Sequence, residues 1–141
     1  MKRVIYCSQA AFDMSPDELT GLLTVARRHN TEAKLSGMLL YCGQSFLQLL
    51  EGDSAALDPT YARILADDRH RNVRLLSDTE TATRMFPDWT MGFEHIDAED
   101  LAELVPGFTP PTAYPLVNPE LVGNGGVAQT LLSLYARNRV R

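Results

Sequence analysis

Two short apolar runs lie between Leu35 and Gly52, LSGMLLYCGQSFLQLLEG, the second interrupted by one polar residue. This reads as two short strands joined by a tight turn at Cys42-Gly43-Gln44, where glycine accepts a positive φ at no steric cost. On the second strand a period of two places Phe46, Gln48 and Leu50 on one face and Leu47 and Leu49 on the other. Both faces are apolar except at Gln48. A buried primary amide must satisfy two donors and an acceptor, and one unpaired group costs about 1–3 kcal/mol. Gln48 therefore either bonds neighbouring backbone as a structural residue or meets a buried ligand.

Lys2 to Ser8 alternates in the same way, with Val4, Tyr6 and Ser8 on one face and Ile5 and Cys7 on the other. Tyr6 points where Gln48 points if the two strands are neighbours. Ser15-Pro16-Asp17-Glu18 starts a helix, with Ser as N-cap, Pro at the first helical position and Glu three residues on. Its stripe of Leu19, Leu22, Leu23 and Ala26 faces a core, and it frays near Arg27-Arg28-His29-Asn30, where basic residues suit the negative helix end and Asn30 reads locally as a C-terminal cap.

Leu57, Tyr61, Ile64 and Leu65 mark a second helix running to about Asp68, with Pro59 unsettling its first turn. Arg63 and Asp67, four apart, read locally as a surface ion pair. Asn72 to Leu76 gives a fourth strand. Phe86-Pro87-Asp88 turns the chain into a fifth, where Trp89, Met91 and Phe93 share a face.

The order β-α-β-β-α-β-β predicts an α+β, ferredoxin-like mixed sheet with two helices of similar length on one face. Residues 1–96 form this domain and residues 97–141 an extension: a short helix over 97–105, a Pro/Gly-rich loop from Pro106 to Gly126, and an amphipathic helix from Val127 to Arg137. Ile5, Leu47 and Leu49 make the second face of the sheet apolar as well, so the last helix is expected to cover it, alone or with a partner subunit.

Composition narrows the class. A 45% apolar, 22% charged chain of 141 residues builds one core without staples. A net charge of −5 gives no footprint for nucleic acid or an acidic membrane surface. No metal-ligand spacing, phosphate loop, nucleophile elbow or membrane-spanning run is present in the sequence. Cys7 and Cys42 lie on strands that could be neighbours, which makes a disulfide conceivable, but two reduced thiols in a cytoplasmic setting are the expectation.

Five fragments then occur in one order: Tyr6-Cys7-Ser8; His29-Asn30 followed by Leu35-Ser36-Gly37; Phe46-Leu47-Gln48-Leu49-Leu50-Glu51-Gly52; Arg63-Ile64-Leu65-Ala66-Asp67-Asp68-Arg69-His70; and Phe86-Pro87-Asp88-Trp89-Thr90-Met91. Together they resemble the successive signatures of BLUF domains, blue-light sensors using FAD, over about the first two thirds of the chain. The resemblance implies a flavin ring held between the two helices and a photoreceptor that is not an enzyme. By the match, Tyr6 is the photochemical electron and proton donor, Gln48 the amide linking Tyr6 to flavin N5 and O4, and Asn30 the holder of the ring's carbonyl edge.

Ser8 belongs to the first signature, and Arg63, Asp67 and His70 match the far side of the pocket. Leu22, Phe46 and Ile64 are candidate apolar ring contacts or ordinary core. Trp89 and Met91 match a strand that relays the change outward. Ser36 stands where Thr is commoner, and His29 where Asn is, so His29 either meets the ring edge or is an exposed end-of-helix histidine. Output is expected through a separate protein partner or through self-association by the extension as a homo-oligomer. The alternative is a flavin-free ferredoxin-like module that binds another small ligand through Gln48. A flavin oxidoreductase lacks any substrate-side constellation here.

Overall fold

Residues 1–96 are described in the computed structural model. The short helix, the Pro/Gly loop, the final helix and its expected cover over the sheet lie outside the described residues. Strand β1 (Lys2–Ala10) leads into helix α1 (Pro16–Ala33), the hairpin β2 (Ser36–Cys42) and β3 (Ser45–Gly52), helix α2 (Ser54–Leu65), and strands β4 (His70–Glu80) and β5 (Gly92–Ile96). The sheet order is β4-β1-β3-β2-β5. β1 runs antiparallel to β3 and β4, β2 antiparallel to β3, and β5 parallel to β2. This is the mixed sheet with two helices that the patterning predicts.

The hairpin turn closes at Gly43 with φ 60°, and Cys42 pairs with Ser45 across it. The α1 start is also as read: the Ser15 hydroxyl accepts from the Glu18 N–H, and the Glu18 carboxylate accepts from the Ser15 N–H.

Alternation sorts the sheet. Val4, Leu39, Tyr41, Phe46 and Leu50 pack with Leu19, Leu23 and Leu57 from the helices, while Ile5, Cys7, Met38, Leu40, Leu47 and Leu49 are fully buried on the reverse face. Because β3 lies between β1 and β2, Cys7 and Cys42 are not on neighbouring strands, and both are buried thiols. Burial pushes the Cys7 thiol up to about 11, against a smaller opposing effect of Arg74.

Several boundaries differ from the reading. α1 does not fray at Asn30. It runs to Ala33 and is capped by Lys34 in the left-handed conformation, φ 57°, whose N–H donates to the Asn30 and Thr31 carbonyls. The Asn30 amide finds a tertiary partner, so it does not compete for the helix backbone. Arg27 and Arg28 are consequently not in the last turn, and no basic residue is.

α2 stops at Leu65, which is 51% exposed and not core, with Pro59 inside it and 12 residues against the 18 of α1. β4 is an 11-residue edge strand rather than the five-residue strand read at Asn72 to Leu76. Register shifts at Ile5/Tyr6 and Cys7/Gln9, with Asn72 at φ 53°, break its alternation. Trp89 and Met91 precede β5 rather than lying on it.

Gly37 is a point of close approach. A Cβ there would run into the Leu49 carbonyl of the paired strand. Gly37→Ala is expected to cost about 1–3 kcal/mol, seen as a lower urea midpoint with an unchanged slope.

Candidate functional site

Antiparallel register sets Tyr6 of β1 directly opposite Gln48 of β3, on the face that carries the helices. Both are buried, at 3% and 7% exposure. The Tyr6 hydroxyl donates to Gln48 Oε1 in a short hydrogen bond, and Gln48 Nε2 donates to the Met91 thioether at 3.5 Å. The orientation of the amide follows from the partners. A thioether only accepts, so the NH2 end faces Met91 and the carbonyl end faces the phenol. Burial raises the Tyr6 pKa, and the charges of Tyr61 and Asp67 add to this, so the phenol keeps its proton throughout the ordinary range. The Tyr61 ring leans on it at 5.7 Å.

A cleft of about 180 Å³ opens above this pair, between the helices. Its floor is Tyr6, Leu39, Phe46, Gln48 and Leu50; α1 contributes Leu22, Val25, Ala26, His29 and Asn30; α2 contributes Thr60, Arg63 and Ile64; Asp67, Arg69 and His70 close the far end. Leu22 and Ile64 are only half-buried and Val25 is 56% exposed. Leu22 and Ile64, read as ring contacts or ordinary core, wall a slot together with Val25.

The polar rim is ordered by its own bonds. Arg63 donates to His29 Nδ1 at 3.1 Å, which leaves the ring hydrogen on Nε2 to donate to Thr60 Oγ1 at 2.8 Å. Thr60 passes its own proton to the Ala56 carbonyl at 2.9 Å. His29 is thus a half-buried tie between the two helices, not an exposed terminal histidine. Its partner is Arg63, so the expected Arg63–Asp67 pair does not form.

Asp67 binds Arg69 instead, with a closest contact of 2.5 Å, and this partner holds its carboxyl below the usual range. His70 donates from Nε2 to the Ile64 carbonyl at 2.5 Å and accepts at Nδ1 from Ser8 at 2.9 Å. Ser8 is therefore not on the cleft wall. It is fully buried behind His70 and orients it.

Asn30, inside α1, donates to the Thr90 carbonyl at 2.6 Å, and Arg27 to the Met91 carbonyl at 3.0 Å. The segment before β5 is thereby fastened to the cleft's own helix. Trp89 does not enter the cleft: it stacks on Phe86 at 5.7 Å, and its ring lies where a side chain at Gly92 would be. Of the relay pair, Met91 alone touches the amide.

Sequence reasoning missed Val25, Ala26, Leu39, Leu50, Thr60 and Arg69 as lining residues. Val25 and Thr60 had a signal, each lying one turn from an expected lining residue, Leu22 or Ile64. Arg69, in a turn, had none.

The site accepts a flat, largely apolar ring with polar edges: half-buried aliphatics from two helices face a buried amide whose NH2 has only a weak sulfur acceptor. The family model of BLUF, "Sensors of blue-light using FAD", matches residues 1–92. The chain belongs to the BLUF family. It is a blue-light sensor domain that uses a flavin.

Among curated relatives, the BLUF chain is 34% identical over 100 residues to the photoactivated adenylate cyclase subunit beta of Euglena longa, covering 70% of this chain and 12% of that protein. It thus spans a small part of such relatives. Among solved structures, BlrB, a BLUF protein in its dark state, is similar at 26% identity and TM-score 0.72, over 94% of this chain and 96% of that one. BlrP1 of Klebsiella pneumoniae, solved with FMN and cyclic diGMP, is similar at 30% identity and TM-score 0.63, over 89% of this chain and 35% of that one. Among the described residues, no helix is long and apolar enough to cross a membrane.

Proposed function

We propose that this BLUF domain holds FAD non-covalently between α1 and α2 and senses blue light through a Tyr6–Gln48 hydrogen-bond switch. The observation that carries the reading is the buried phenol bonded to a buried amide on the floor of a half-apolar cleft. Leu22, Phe46 and Ile64 would flank the ring, with Asn30 and Gln48 at its polar edge and His29, Arg63, Asp67 and His70 along the far side. When bound, the flavin supplies absorption of blue light and an excited ring that takes up an electron and later returns it.

Tyr6, neutral and already hydrogen-bonded, would give up the electron; as Gln48 Oε1 takes the phenolic proton, Nε2 would release one of its own toward the ring, and both transfers would reverse when the electron returns. Gln48 is suited to this because its two ends differ, one accepting and one donating, so rotation or tautomerisation reverses the pattern without adding a charge to a buried site. The NH2 hydrogens then leave Met91. A swap of hydrogen bonds offers a few kcal/mol, which biases a poised element but does not unfold a domain. The domain itself turns over no substrate, and the output passes to a separate protein partner or to self-association.

The test is an illuminated-minus-dark spectrum of purified protein supplied with FAD, FMN or riboflavin. The expected result is a yellow protein that retains FAD and shifts reversibly to longer wavelength under blue light. A colourless protein that takes up none of the three sinks the reading.

A further inference from the structure

On the reverse face of the sheet, beneath the strand that carries Gln48, lies a carboxylate the switch does not use. Glu51 is fully buried at the end of β3. It stands in register between Arg3 of β1 and Ser36 of β2. One oxygen accepts from Arg3 Nε at 3.2 Å and the Met85 N–H at 2.9 Å; the other accepts from the Phe86 N–H at 2.7 Å and the Ser36 hydroxyl at 3.5 Å. Arg84 closes the arrangement from outside, donating to Ser36 Oγ at 2.8 Å and to the Glu51 carbonyl at 3.1 Å.

Residues 85–91 form a strap between the two faces. Its first residues are fixed by Glu51 on the reverse face, its middle by the Gly37 N–H on the Trp89 carbonyl at 3.0 Å, and its end by Arg27 and Asn30 on the helix face. At that end, Met91 meets the Gln48 amide. A carboxylate that accepts two successive backbone N–H groups sets where the strap begins, and hence where Met91 arrives.

We propose that Glu51 is a positioning residue for the light switch, acting through the 85–91 strap to hold Met91 against the Gln48 amide. The inference rests on the Tyr6–Gln48 reading above. Glu51→Gln keeps the shape but turns one acceptor end into an N–H donor, which faces either the Phe86 N–H or the Met85 N–H and Arg3. The strap is then released on one side while Tyr6 and Gln48 are untouched.

The test measures the dark-recovery rate of the full chain loaded with FAD, for wild type, Glu51→Gln, Met91→Leu and the double variant. Glu51→Gln is expected to keep the amplitude of the red shift and change the recovery rate by about fivefold or more, with no further change in the Met91→Leu background. Recovery within about twofold of wild type, or effects that multiply fully in the double variant, overturns the proposal. If Glu51→Gln does not fold, Arg84→Gln at the half-exposed end of the same arrangement decides it: an altered rate supports the strap and an unaltered one refutes it. Loss of the shift in the wild type itself would instead fell the switch reading on which the proposal stands.

Discussion

Tyr6→Phe is expected to leave the flavin bound and to erase the reversible red shift. The ring that rests on Tyr61 and closes the cleft floor is retained, so the pocket keeps its shape. What disappears is the one O–H that donates to Gln48 Oε1. On the proposed mechanism the electron and the proton that accompanies it go with it, and among the described residues no other phenol is placed to replace it: Tyr61 lies beside the Tyr6 ring, and the Tyr41 hydroxyl is engaged by the Met14 N–H and Asp13. The measurement is the light-minus-dark difference at saturating illumination, expected to fall to baseline while the flavin spectrum persists. Photocycling at wild-type amplitude in this variant would remove Tyr6 from the donor role.

Gln48→Leu carries the second large effect, and it separates chemistry from stability. Leucine cannot accept from Tyr6 or donate to anything, so the shift should again vanish. In addition the Tyr6 hydroxyl is left buried against aliphatic carbon, a loss of about 1–3 kcal/mol. The double variant Tyr6→Phe/Gln48→Leu removes both partners and should regain most of that loss, giving a coupling of about 1 kcal/mol or more in urea unfolding of the flavin-loaded protein. Additive losses would mean that the phenol and amide are not partners.

The central pair was legible in the sequence because two independent regularities converge on it. Alternation places Tyr6 and Gln48 on the same side of their strands, and an amide among leucines needs a partner. The capping box at Ser15 and the turn at Gly43 are equally local, and both fold as read.

Features set by distant groups were hidden. α1 passes through Asn30 because Thr90, sixty residues on, satisfies its amide. Asp67 turns from Arg63 because a guanidinium two residues away in a turn reaches it better than one across a helical turn that ends at Leu65. β4 gave too short a strand because bulges and an exposed edge leave no period to count. Nothing local marks Glu51, a polar residue near the end of β3, as the meeting point of three strands and the Met85–Phe86 backbone.

The parallel pairing of β5 with β2 bears on how any rearrangement leaves the sensor. Ile96, the last residue of that strand, lies only five positions beyond Met91, a span of roughly 17 Å at about 3.3 Å per residue. Ladder hydrogen bonds allow displacement only in whole steps, and a single step would turn Phe93 and His95 to the opposite face of the sheet. A modest push from the amide is too weak for that. It can tilt the strand as a stiff lever, so the output should be angular rather than a change of register.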